Sequence, residues 1–193
     1  MRRLKLPVDY TATNSLTIEV KEDGSVEPPS PFFLDEKSSV ESTKRVYQNA
    51  ALVIWSALGI EKLLNRILLN HYFPLKTSAE RHDFVRKFID SGAISFNAKR
   101  RVVYEIACEG SWVNGKEKNF FDKCLAKVEE YRNAFAHGHV SVDINEGPTV
   151  TYFRGNIKSK PINADLLGDI ERHFNQAFVF LKKFLEKHQG EKV

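Results

Sequence analysis

Three stretches of this chain repeat apolar residues at steps of three and four, and that period decides what it can fold into. The first runs Val46, Tyr47, Ala50, Val53, Ile54, Ala57, Leu58, Ile60, Leu63, Leu64, Ile67 and Leu68. The second is Phe121, Cys124, Val128, Tyr131 and Phe135; the third is Leu167, Ile170, Phe174, Ala177, Leu181 and Phe184. Residues so spaced share one side of an α-helix, so each stretch carries an apolar stripe that must be buried. The first stripe is the widest and is expected at the centre, on a helix over 38–71 that Pro74 ends. The second predicts a helix over about 118–137, the third a helix from a cap at Asn163 or Asp165 to about 187. Two shorter helices are expected between them. One covers 81–90, led by Ser78, with Phe84, Phe88 and Ile89 inward and Gly92 closing it. The other starts near Asn97 and turns Val102, Val103, Ile106 and Ala107 inward. Residues 110–115 read as a loop carrying Trp112.

After residue 139 the period changes. Val140, Val142 and Ile144 alternate, Glu146-Gly147-Pro148 turns, and Val150, Tyr152 and Arg154 return, which predicts a β-hairpin at about 140–154. Residues 158–161 read as a basic loop. Residues 1–38 form a separate N-terminal arm: Leu16 to Val20 alternate like a short strand, Asp23-Gly24 turns it back, and Pro28-Pro29-Ser30-Pro31 stops it. Phe32, Phe33 and Leu34 are expected to anchor the arm. The expected architecture is all-α: an antiparallel four- or five-helix bundle over 39–190, with a small β-hairpin inserted before the last helix.

At 193 residues the chain has the length of about one domain. Its 29 Lys and Arg against 25 Asp and Glu give a formal charge of +4, which permits a polyanionic partner without demanding one. The two cysteines, Cys108 and Cys124, make neither a disulfide framework nor a CxxC zinc pair. The longest apolar run, 50–60, is broken by Ser56 and Gly59 and falls well short of the ~20 residues of a membrane span. No apolar stretch follows the basic start, so no secretory signal is expected and the location is expected to be cytoplasmic.

Most catalytic patterns are missing from the sequence: there is no Gly-rich phosphate loop, no GxSxG and no HExxH. Glu129-Glu130 point to different helix sides and read as solvated charge. His137 and His139 flank Gly138 with no third ligand close by, so no metal is expected. What remains is 131–139, which places Arg132, Asn133 and His137 in the last two turns of a helix and Gly138 where a left-handed cap is expected. Asn133 and His137 are one turn apart, so Asn133 is expected to orient the imidazole. Arg132 and His137 are five residues apart, about 140° around an ideal helix, so they converge only with a long Arg reach, a relaxed last turn or a second protomer. Arg offers a planar fork of donors to phosphate oxygens, and His exchanges protons near neutral pH. Together they suffice to cleave RNA without metal, the 2′-hydroxyl being the internal nucleophile. A cap and a surface ion pair is the plainer reading of the same residues.

The segment Arg132-Asn133-x-x-Ala136-His137-Gly138 resembles the Arg-x4-His motif of the HEPN superfamily (higher eukaryote and prokaryote nucleotide-binding domain). The context is similar too: a long first helix with Glu61 in Leu58-Gly-Ile-Glu-Lys-Leu-Leu64, a junction ending in Ser91-Gly-Ala-Ile-Ser95, then the motif helix and a last amphipathic helix. The likeness covers about residues 40–185. It implies a helical bundle that dimerises with the motifs of two chains facing each other. It also implies a metal-independent endoribonuclease with no cofactor, with RNA as substrate, in a toxin–antitoxin, antiviral-defence or RNA-processing setting. Arg132 and His137 would then be catalytic, Asn133 supporting, and Glu61 an additional polar group; a partner for Lys62 or Arg66 is its plainer reading. His139, Lys158 and Lys160 would help bind substrate. One toxin branch carries Arg-x4-His-x-Tyr; His139 stands at the tyrosine's place here, so neither a modified tyrosine nor a nucleotidyltransferase antitoxin is expected. The family also holds non-catalytic modules that bind a nucleotide, RNA or a protein partner, and that is the alternative reading.

Overall fold

The computed structural model describes residues 6, 37–74, 77–89, 92–111, 113–143 and 147–190. Among these the order is α1 (Lys37–Tyr72), α2 (Ser78–Phe84) continuing into one π-helical turn (Val85–Ile89), α3 (Phe96–Glu109), α4 (Gly115–His137), β1 (His139–Asp143), β2 (Gly147–Arg154), β3 (Asn156–Pro161) and α5 (Ala164–Gly190). The described chain is mostly helical, with one small antiparallel sheet in the order β1-β2-β3. The expected arm over 1–38 lies outside the described residues except for its last two positions and Leu6, which packs against the core. Trp112, Ile144 and Glu146 also lie outside them.

α1 is the hub. It packs against α3, α4, α5 and β2, and Val46, Val53, Ala57, Ile60, Leu64 and Ile67 along it are completely buried. Each such Val, Ile or Leu side chain contributes about 1.5–3 kcal/mol on burial, so this stripe outweighs any single polar contact among the described residues. It is narrower than the sequence suggests. Tyr47 and Leu58 lie on the outer side with Trp55, all exposed. Tyr47 is turned about 100° from Val46, beyond the reach of the packed neighbours.

Local capping sets the other helix starts. Thr77, not Ser78, caps α2: its hydroxyl accepts from the Glu80 N–H at 3.3 Å, and the Glu80 carboxylate accepts from the Thr77 N–H at 2.9 Å. The Ser95 hydroxyl accepts from Ala98 N–H at the head of α3. The Asn114–Glu117 box starts α4 at Gly115, earlier than the apolar period alone indicates. Asn163, rather than Asp165, caps α5 by accepting from Leu166 N–H at 3.0 Å. Phe88 is exposed rather than inward, and stacks on Phe84. The extra residue of the π turn gives Ile89 the buried place that Phe88 would hold in an α-helix.

α4 and α5 run antiparallel: Tyr131 meets Asp169, Cys124 meets Gln176, and Phe121 stacks on Phe180. α3 and α4 do so too, with Phe96 against Arg132 and Arg100 against Glu129 and Asp122. Burial pushes the Cys124 thiol up to about 11, so it stays a protonated core residue at neutral pH.

The expected hairpin is the first two strands of a three-stranded meander. The segment read as a basic loop at 158–161 is instead part of β3, which pairs Lys160 with Val150 and Lys158 with Tyr152. β2 turns into β3 at Gly155, whose φ of 74° suits glycine, with Arg154 opposite Asn156. β3 shows no apolar alternation because Lys160, on its side facing α4, meets the Glu130 carboxylate and the Tyr131 ring instead of apolar neighbours.

Gly138 follows α4 in an extended conformation (φ −82°, ψ 168°), not in the left-handed one expected of a cap. Its role is room. A Cβ there would overlap the Ala134 carbonyl oxygen and stand 2.8 Å from the Thr151 carbonyl oxygen, so glycine lets β2 press against the end of α4. Gly138→Ala is therefore expected to destabilise the protein by about 1–3 kcal/mol through forced separation of sheet and helix, read as a lowered urea midpoint.

Candidate functional site

α4 has two working sides. Phe121, Cys124, Val128, Tyr131 and Phe135 form the buried seam foreseen in the sequence. The side at Glu130 and Ala134, also buried, meets β2. Arg132, Asn133 and His137 lie outside both: Arg132 and Asn133 are half-buried, and His137 is exposed.

Arg132 is held from two directions. Its guanidinium carbon lies 5.9 Å from the centre of the buried Phe96 ring at the head of α3. Its Nη1 donates to Asn133 Oδ1 at 3.3 Å. A cation over an aromatic face is stabilised by about 0.5–1 kcal/mol near the surface, enough to favour one orientation of a flexible side chain. Asn133 thus serves Arg132; among the described residues no hydrogen bond joins it to His137, the orienting contact expected from their spacing. His137 ends α4 beside Gly138, and His139 begins β1; both imidazoles are exposed. Among the described residues no group of three or more His, Cys, Asp and Glu is placed to hold a metal ion.

Glu61 pairs neither with Lys62 nor with Arg66. Its Oε1 accepts from Lys99 Nζ at 2.6 Å, and Lys99, only 2% exposed, also donates to the Ile89 carbonyl oxygen. Lys99 therefore ties α1 to the end of the π turn. Phe96 lies one turn back on α3, so the Glu61–Lys99 pair and the Arg132–Phe96 contact sit at the same end of that helix.

The sequence reading missed Glu130. Read as solvated, its side chain is 3% exposed and is surrounded by four partners. Oε1 accepts from the Tyr152 hydroxyl at 2.7 Å and faces Lys160 Nζ at 3.5 Å; Oε2 pairs with Lys127 Nζ at 3.1 Å and with Arg154. Lys160 also lies over the Tyr131 ring. Burial pushes the Glu130 carboxyl up, but the Tyr152 hydroxyl and the cations of Lys127 and Arg154 outweigh it and hold it down at about 2. Tyr152 in turn is pushed up by burial and by donating to Glu130. Two residues could have signalled this. Ala134, one turn on, leaves room for a strand, and an inward Tyr152 needs an acceptor for its hydroxyl.

A second acid repeats the device more openly. Tyr131 hydroxyl donates to Asp169, which also pairs with Arg172 and faces His173 at 3.4 Å. Burial pushes Asp169 up, but these partners outweigh it and leave the carboxyl below its ordinary range.

The candidate residues thus fall into three groups. Arg132 and Asn133 lie together against α3; Lys160 and Lys158 stand on the α4-facing side of the sheet; His137 and His139 flank the helix–strand junction. Comparison with protein-family models, with curated proteins and with solved structures found no match to this chain.

Because the Glu130 carboxyl lies below its ordinary value of 4.5, it stabilises the fold above that pH, and this contribution is lost as pH falls through about 2. The urea midpoint is expected to drop on acidification from neutral pH, and more weakly in Glu130→Gln. Glu130→Leu leaves the buried Tyr152 hydroxyl without its acceptor and is expected to cost about 1–3 kcal/mol at neutral pH.

Proposed function

We propose that this chain is a HEPN-like, metal-independent endoribonuclease that acts as a homodimer. The observation that carries the reading is the end of α4: Arg132 is braced by Phe96 and Asn133 without being buried, and His137 stands open to solvent one turn beyond Asn133. A phosphate can reach both kinds of group. The antiparallel run of α3, α4 and α5, with α1 packed against each, supports a HEPN-like bundle as its frame.

In this reading Arg132 binds the phosphate oxygens and stabilises the charge that grows on them as the 2′-oxygen attacks. The 2′-oxygen–phosphorus bond forms and the phosphorus–5′-oxygen bond breaks. One imidazole takes the 2′-hydroxyl proton and another delivers a proton to the 5′-oxygen. The products are a 2′,3′-cyclic phosphate and a 5′-hydroxyl, and DNA, lacking the nucleophile, is not cut. His137 of each of two copies supplies the two proton-transfer groups, which is why a pair of chains is needed. Asn133 fixes the guanidinium. Glu61 acts through Lys99 on the scaffold rather than on the phosphate. A toxin or defence role in the cytoplasm, with or without an antitoxin partner, belongs to the same proposal.

One observation favours the second reading, a non-catalytic module that binds a nucleotide, RNA or a protein. Within one chain Arg132 leans towards α3, and among the described residues no hydrogen bond links it or Asn133 to His137.

Single-stranded RNA incubated with the purified protein in chelator is expected to be cleaved to cyclic-phosphate ends. Arg132→Ala and His137→Ala should each slow cleavage by roughly 100-fold or more while leaving circular dichroism unchanged. Cleavage that survives both substitutions removes the assignment. RNA binding without cleavage by the wild type supports the second reading.

A further inference from the structure

We propose that β1 is the edge through which two copies of this chain join, pairing antiparallel about a twofold axis at Ser141 into one six-stranded sheet. The proposal rests on the reading of the chain as a homodimer and names the surface that joins the copies.

The sheet runs β1-β2-β3, so β1 and β3 are its two edges. The edges differ. β3 carries Lys158 and Lys160 and ends at Pro161, residue types that deter a further strand. β1, His139-Val-Ser-Val-Asp143, has neither lysine nor proline. Among the described elements it packs chiefly on β2 and on α4, which leaves its outer edge without a strand beside it.

The direction of the backbone groups follows from one bond. The Pro148 carbonyl oxygen accepts from Ile162 N–H at 2.7 Å, so the Pro148 backbone faces the β3 flank. Successive residues of a strand turn their backbone groups to opposite flanks. Thr149 and Thr151 therefore face β1 and bond with Ser141 and His139, opposite them in register. The Thr151 carbonyl oxygen, close against Gly138, fits that direction. Val140 and Val142 then aim N–H and C=O away from β2, and among the described residues no backbone group meets them. Edge groups left open in this way are a template for another strand.

The strand is complementary to itself, which is why the occupant is a second copy. Turned over about Ser141, it sets Val140 opposite Val142 of the second copy, Ser141 opposite Ser141, and His139 opposite Asp143. The two outward residues form a hydrogen-bonded pair, and the twofold repeats it, so two such pairs join the chains. The side chains match as well. Val140 and Val142 share the side of the sheet that holds buried Val150, so valine meets valine there. His139 and Ser141 lie on the other side, exposed, and no like charges are set together. The axis stands four residues beyond His137, so the ends of the two α4 helices lie on either side of it. Phe153 and Ile157, 74% and 77% exposed across the β2–β3 turn, take no part in the pairing.

The test is light scattering over roughly 1–100 μM protein, since a pairing of short strands makes a small interface. The wild type is expected to approach twice the chain mass. Ser141→Lys sets two cations together at the axis and is expected to weaken the dimer by roughly 10-fold or more. Its circular dichroism should be unchanged, since Ser141 is exposed. Ser141→Cys is expected to cross-link two chains when oxidised glutathione is added, because facing residues of such a pair have Cα atoms about 4.5 Å apart, within disulfide reach. The wild type, with Cys108 half-buried and Cys124 buried, controls for the other thiols. Phe153→Ala should leave the mass as it is. A wild type that stays monomeric across the range overturns the proposal. So does a dimer that survives Ser141→Lys and does not cross-link through Ser141→Cys, or one that Phe153→Ala dissolves. Cleavage assays separate this interface from the nuclease. Dimerisation lost in Ser141→Lys, with no cleavage of RNA by the wild type, upholds the interface and removes the nuclease. Cleavage that depends on Arg132 and His137, by a dimer indifferent to Ser141→Lys, does the reverse.

Discussion

The buried stripe of α1 is the constraint around which everything else in the described chain is arranged. Its fully buried Val, Ile and Leu residues touch three other long helices and the sheet. Each is stabilised by a few kcal/mol on burial, and together they exceed what any polar cluster here can supply. The helices that cover α1 are fixed by it, and among them α4 gains its particular position. One side of α4 is committed to the hydrophobic seam. Its remaining sides are therefore free to hold polar groups in set directions.

Those directions are fixed by charge and by steric room. On the sheet side, Glu130 joins α4 to Tyr152 and Arg154 on β2 and to Lys160 on β3. Desolvation works against a buried carboxylate, but a hydroxyl and several cations outweigh it, and the acid stays ionised. On the opposite flank, Phe96 and Asn133 brace Arg132. Between them, at the end of the helix, Gly138 lets the Thr151 carbonyl come close. The last turns of α4 are thus held by packing, by ion pairs and by a backbone approach at once. Arg132 is braced within that frame, while His137, at the very end of the helix, is exposed.

Much of the frame was legible in the residues. The three- and four-residue period marked α1, α4 and α5 within a few positions, and alternation marked β1 and β2. The misses share a cause. Thr77 and Asn114 begin helices through capping boxes that hydrophobic period does not report, whereas Asn163 was one of the two caps expected for α5. β3 is an edge strand whose polar residues serve Glu130 on one side and water on the other, so it carries no alternating apolar signal. Phe88 left the core because a π turn shifted the register by one residue. Gly138 was legible as a glycine position but for the wrong reason: the approach of a distant strand, not its own φ, excludes a side chain.

The sequence by itself determined which segments are helical, which stripe of each must be hidden, and that Arg132, Asn133 and His137 come at the end of one helix. These follow from interactions among residues a few positions apart, and local spacing carries them. Only the tertiary structure decided that Glu61 belongs to Lys99, that Glu130 is a buried acid shared by two strands and a helix, and that Asn133 holds Arg132. It also decided that Phe153 and Ile157 stand together in solvent. The first two of those outcomes depend on which surfaces meet across long stretches of chain and on whether water is excluded where they do; the other two join near neighbours whose exposure is set by what packs around them. Charge and polarity in the sequence state what a side chain can bond to. Burial and neighbours choose the partner.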